Sequence, residues 1–243
     1  MNKFRLALIE ELASKGNREA IIEMAHHYYD YQNIRDLDDE KSERIQGYLR
    51  ALAERNDTEA MLVLGGLYYE GVGVEQNYKE AVKWYEKAAG ELNELGLCYL
   101  GYCYYHGRDI EVDYAKAYSL FSQSAYMGNA NAMYKLGDMF FYGQHVQEDK
   151  EAAFYWYNEG WDGYDEGEYV SSCIEYRLGK CYLYGYGVEE NLVLALEMLK
   201  NAEKGLFDLV EAGEPFAEIT LKSVKKEIEI AREKLGGNAT RHE

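Results

Sequence analysis

Three stretches of the sequence hold residue types that could do chemistry. Ser223-Val224-Lys225-Lys226 reads S-x-x-K, in which a lysine one helical turn away can activate a serine for acyl transfer. No S-D-N or K-T-G partner accompanies it, so it reads as a coincidence. His26-His27, with Glu23 and Asp30, offers imidazole and carboxylate ligands for a metal. No H-E-x-x-H is present and the chain has five histidines, so the pair reads as a surface or partly buried feature of a helix. Gly71-Val72-Gly73 and Gly185-Tyr186-Gly187 have a Gly-x-Gly spacing. A dinucleotide-binding turn joins a strand to a helix, whereas these join two helices, and there is no P-loop. Carboxylate pairs carry little information in a chain with 44 acidic residues. Cys98, Cys103, Cys173 and Cys181 form no C-x-x-C and read as reduced, small apolar residues. The expectation is a non-enzymatic chain with no cofactor and no metal.

The elements that would position side chains follow from composition and periodicity. The chain has 243 residues, 47% hydrophobic, with a single proline at Pro215. That supports a sizeable core and a largely helical chain, because proline is costly inside helices. The formal charge of −18 argues against nucleic acid, whose binding needs a basic patch. No apolar run approaches the ~18 residues of a membrane span. Glu10 and Glu11 interrupt the apolar N-terminal stretch, so a secretory signal is not expected and the predicted location is cytoplasmic.

An internal repeat organises the chain. Gly65, Gly101 and Gly137 lie 36 residues apart and Gly179 follows 42 later; six residues after each comes Gly71, Gly107, Gly143 and Gly185. Further columns agree: Tyr68, Tyr104, Phe140 and Tyr182; Val74, Ile110, Val146 and Val188; Asn77, Asp113, Asp149 and Asn191; Ala81, Ala117, Ala153 and Ala195. The spacing predicts a first helix over 60–70, stopped by Gly71. Gly65 would admit a neighbouring helix. Asn77 with Glu80 fits a capping box for a second helix over 78–89, burying Ala81, Trp84, Tyr85 and Ala88. Four such units fit at 57–92, 93–128, 129–164 and 171–205. Residues 1–56 hold a degenerate N-terminal repeat or cap, whose loop containing Asp36–Glu40 has lost its glycines. Residues 206–243 read as one or two capping helices and a tail, with Gly236 and Gly237 ending the order. The acidic, aromatic insertion at 161–169 reads as a longer surface turn, or as a contact loop.

The run Ala60–Val74, followed by Ala81–Ala89, resembles the Sel1-like repeat, a relative of the tetratricopeptide repeat. The resemblance implies an all-α fold, a right-handed α/α superhelix of helix–loop–helix repeats, acting as an adaptor or scaffold for other proteins without a general catalytic site. Asp109 and His145 depart from the pattern, replacing the loop glycine kept as Gly73 and Gly187. A secreted, cysteine-rich branch of the family pairs cysteines within each repeat. Cys98 and Cys173 lack the corresponding mates, so neither its disulfides nor its activity carry over.

By analogy with such stacks, the first helices line the concave side. Their outward arc then forms rows: Leu62, Cys98, Tyr134 and Tyr176; Gly66, Tyr102, Asp138 and Lys180; Tyr69, Tyr105, Phe141 and Leu183; Val63, Tyr99, Lys135 and Arg177. The expected partner-binding residues are Tyr69, Tyr99, Tyr102, Tyr105, Tyr134, Lys135, Phe141, Tyr176, Arg177 and Lys180. Tyrosine offers contact area with a hydrogen-bonding tip, and the basic side chains could receive a carboxylate. The alternative is that tight curvature packs these rings against one another as inner core. Residues 58–205 hold 24 acidic and 11 basic side chains, so a basic protein or peptide is the expected partner, with solubility alone as the competing reason. An exported factor acting on a host or the cell wall, an acidic inhibitor of a basic protein, and a homo-oligomer stay open.

Overall fold

The computed structural model describes residues 3–29, 37–162, 169–213 and 217–239. Asp30, Asp36, Pro215, Phe216 and residues 163–168 of the insertion therefore lie outside the described residues. Contacts divide the chain into two compact units, one up to Leu120 and one from Phe121 onward.

The first unit holds α1 (Lys3–Ser14), α2 (Arg18–Tyr29), α3 (Asp39–Ala53), α4 (Thr58–Glu70), α5 (Tyr78–Gly90) and α6 (Glu94–His106). The helix α7 (Tyr114–Tyr126) begins in this unit and ends in the next. The second unit continues with α8 (Ala130–Tyr142), α9 (Lys150–Trp161), α10 (Tyr169–Tyr184), α11 (Leu192–Ala212) and α12 (Ala217–Ala239). In each unit, first helices contact the second helix of their own pair and the first helix of the next: α4 meets α5 and α6, and α10 meets α11 and α12.

Each repeat column does a defined job. The Oδ1 atoms of Asn77, Asp113, Asp149 and Asn191 accept from the amide three residues on, capping the second helices. Their own amides donate back to the carbonyls of Tyr68, Tyr104, Phe140 and Tyr182 at 2.8–3.0 Å, tying each loop to the helix before it. The helix-crossing glycines are spatial necessities. A Cβ on Gly65 would stand 2.3 Å from the Tyr85 ring, and one on Gly137 would stand 2.4 Å from Tyr157. Between the pairs lie fully buried aliphatics such as Leu64, Met61, Leu136 and Leu178, each worth about 1.5–3 kcal/mol of burial.

Three expectations need correction. Trp84 is only half-buried, with the Lys87 ammonium 4.1 Å from its ring centroid. The ammonium itself lies over the open part of the indole, a cation–π contact at the surface. No separate helix begins at residue 206: α11 runs unbroken from Leu192 to Ala212, because Ala202 and Leu206 continue its apolar stripe and nothing before Gly213 stops it. Helix α12 likewise continues through Gly236 and Gly237 to Ala239.

Asp109 and His145 hold left-handed backbones at φ +53° and +68°, as Gly73 and Gly187 do at +66° and +70°. The loop geometry persists without glycine, at the cost of Cβ strain. Asp109→Gly and His145→Gly should each raise stability by about 0.5–1 kcal/mol in chemical denaturation, and a loss would contradict this reading.

Candidate functional site

In the second unit the first helices α8 and α10 bring their outward rows together around one carboxylate. Asp138 is 4% exposed. Its Oδ1 accepts from Arg177 Nε and from Tyr157 Oη, each at 2.8 Å. Lys135 Nζ stands 3.9 Å from Oδ2. The Arg177 guanidinium also lies over the Tyr134 and Tyr176 rings, 5.8 and 5.5 Å from their centroids. Burial and the adjacent Asp138 charge push the Tyr157 hydroxyl well above its ordinary pKa, so it stays a neutral donor. Tyr134, Phe141 and Tyr176 are themselves buried; in the first unit Cys98 of the first row is buried too.

Lys180 differs from its basic neighbours. It is half-buried, its ammonium 5.6 Å from the Tyr176 centroid and 5.9 Å from Phe141. It enters no ion pair among the described residues. Burial, helped by the charge of Arg177, lowers its pKa. Glu227 on α12 faces the same region but is held by Tyr184 Oη at 2.5 Å.

The third row serves partly as a joint. Tyr69 packs edge-on to Tyr78, the first residue of α5, and accepts from Arg108 Nε at 3.2 Å. Tyr105 packs the same way on Tyr114. Phe141 meets Tyr186 and lies 3.6 Å from the Lys150 ammonium, which donates to its carbonyl oxygen at 2.5 Å. On α6 the half-buried Tyr102 stacks on exposed His106 with rings 6.0 Å apart, and half-buried Tyr99 meets Tyr85. So the structure gathers Tyr134, Lys135, Phe141, Tyr176, Arg177 and Lys180 in the second unit. Tyr69, Tyr99, Tyr102 and Tyr105 lie along α4 and α6 in the first.

The chemistry-bearing stretches have structural settings. Ser223 Oγ donates to the Ile219 carbonyl at 3.3 Å, one turn back on α12. Glu23 pairs with Arg5, while His26 and His27 end α2. No group of three metal-ligating side chains occurs among the described residues. All four cysteines are buried, and burial pushes the thiols of Cys103 and Cys181 up to about 12. An aromatic disulfide reagent at neutral pH should label none of them in the folded protein and all four after denaturation; rapid labelling of folded protein would contradict this packing.

Asp138 is the contributor that sequence reasoning passed over. It sits where the other repeats carry Gly66, Tyr102 and Lys180. Its partner Arg177 lies 39 residues on, one helical turn before the equivalent Lys180. An acid in a row otherwise without acids, matched by a base one repeat away less one turn, was the available signal.

The Sel1 repeat profile matches residues 58–90, 95–129, 130–160 and 175–204, more than half of the chain. The chain belongs to the Sel1 repeat family. Solved structures agree on the fold. A Sel1 repeat protein from Oxalobacter formigenes is 21% identical over 89% of this chain and 87% of its own, with a TM-score of 0.65. A sel1 repeat protein from Klebsiella pneumoniae is 18% identical over 90% and 99%, at 0.55. The antigen c5321 of uropathogenic Escherichia coli, described as displaying an SLR fold, is 22% identical over 94% of this chain and 56% of its own, at 0.56. A search of curated proteins returns no match. Sel1 repeats are in general scaffolds for protein–protein interaction and generally non-catalytic. No helix among the described residues is long and apolar enough to cross a membrane.

Proposed function

We propose that the chain is a non-catalytic, cytoplasmic scaffold whose first helices, within each unit, present an aromatic-lined face that takes a protein or peptide partner. The observation that carries this reading is the pairing of unequal roles on one face. Tyr134, Tyr176, Arg177 and Asp138 are locked together and give the face rigidity, while Lys180 presents a cation with no ion pair among the described residues. In the first unit Tyr99, Tyr102 and Tyr105 keep part of their rings open to a partner. Rings already fixed by neighbours lose little entropy on binding, which favours them as anchors. Buried thiols suit a reducing compartment.

Capture from cells with the full chain, followed by titration of the recombinant partner, tests the reading. Tyr102→Ala and Lys180→Ala remove half-buried side chains at the surface without emptying the core, which Tyr134→Ala would do. Each should weaken the partner at least tenfold with helical content unchanged. Affinity unchanged in both variants would exclude this face.

A further inference from the structure

The second unit carries another aromatic surface, on α9 and the end of α7 rather than on the first helices. Tyr126, the last residue of α7, is 82% exposed, and Tyr155 on α9 is 53% exposed. Between them stands half-buried Trp156. Its ring lies 5.9 Å from Tyr126 at 79° and 5.3 Å from Tyr155 at 70°, an edge-to-face chain of three rings. Met127 and Trp161 are exposed beside the same elements. Exposed ring clusters of this kind mark interaction sites more often than solvated surface.

The charges around these rings say what would cover them. Glu151 and Glu159 lie one turn before and after Tyr155 on α9, and exposed Asp162 is the C-cap of that helix. None of the three carboxylates enters an ion pair among the described residues. Glu159 and Asp162 also stand at the negative end of the helix dipole, where acids are disfavoured, and the last turn holds no basic residue. The one basic residue of α9, Lys150, is engaged by Glu148 and the Phe141 carbonyl. Among the described residues these carboxylates have no paired cation, so the exposed rings stand in a negative local field. A guanidinium or ammonium group would satisfy the carboxylates and lie on the ring faces at once, because the ring quadrupole attracts a cation held over its face.

We infer that the Tyr126–Trp156–Tyr155 face of α7 and α9 is a docking surface for an arginine-rich segment of a protein partner. Arginine fits better than lysine because its planar head can stack on a ring while donating to Glu151 or Glu159. This surface is separate from the first-helix face, so either can stand if the other fails.

The test uses the full chain and a twelve-residue peptide of repeated Arg-Gly-Gly, with Lys-Gly-Gly and Glu-Gly-Gly counterparts. Binding is followed through the indole N–H resonances of Trp84, Trp156 and Trp161. The arginine peptide should shift the Trp156 resonance and leave Trp84 unmoved. It should bind several-fold tighter than the lysine peptide, and the glutamate peptide should not bind. Tyr155→Ala with Glu159→Gln should weaken the arginine peptide at least fivefold. Glu75→Gln with Glu91→Gln, which removes more charge in the other unit, should change it less than twofold. Equal weakening in the two double variants would reduce the effect to net charge and overturn the proposal. So would the absence of any Trp156 shift at millimolar peptide.

Discussion

Gly187→Ala should destabilise the protein by about 3–5 kcal/mol. Two effects coincide there. The backbone is left-handed at φ +70°, which strains any L side chain, and the added Cβ would stand 2.0 Å from the Lys150 carbonyl oxygen and 2.7 Å from the Glu151 nitrogen. Those atoms are the backbone at the start of α9, fixed by the Asp149 cap. A flexible side chain could turn away, but this helix start cannot. Gly213→Ala separates the two effects. Its φ is +90° with nothing within 4 Å of the new atom, so it carries the backbone cost alone, about 1 kcal/mol. Thermal melts of both variants check the comparison: a fall of more than about 10 °C for Gly187→Ala against a few degrees for Gly213→Ala. Similar falls would show that the joint between the α9 start and the last loop yields more readily than its geometry indicates.

Asp138→Ala should cost about 3–5 kcal/mol. The size comes from what is left behind. The Arg177 side chain is 18% exposed and would lose its charge partner, and the fully buried Tyr157 hydroxyl would lose its acceptor. A buried donor without an acceptor, beside a buried charge without a counterion, is among the few changes that reach this range. Asp138→Asn keeps an acceptor oxygen but not the charge, so it should fall between Asp138→Ala and the native protein in urea denaturation. If Asp138→Ala costs less than about 1 kcal/mol, the cluster contributes no rigidity to the face, and the rigid-anchor part of the functional reading fails with it.

Much of the fold was legible in residue spacing, because each repeat column answers to a local physical demand. Asn77 caps a helix, Gly65 admits a ring and Ala81 fits where two helices touch; each demand is met within one helix pair. The stop at Gly71 and the cap of α5 follow from such demands, whereas the Asp57 cap that starts α4 at Thr58 was not read. What could not be read depends on neighbours further away. A 100° wheel places Tyr134 and Tyr176 on the outward arc but says nothing of how near α8 and α10 approach, and that distance lets their rings fill the space between helices. The length of α11 was hidden for a related reason. Residues 202–212 contain no proline or capping asparagine to mark an end, and their stripe is completed by α12, whose contact no local pattern reveals. The role of Asp138 lies in a bond across a repeat boundary, visible only when rows are compared for charge as well as size.

On the proposed reading, the partner is held by the first helices. Backbone hydrogen exchange on the full chain, with and without the captured partner at saturating concentration, tests it most directly. Partner binding should add protection on α6 around Tyr102 and on α10 around Lys180, lost when Lys180→Ala and Tyr102→Ala are combined. Protection confined to other helices, with α6 and α10 unchanged, would contradict it.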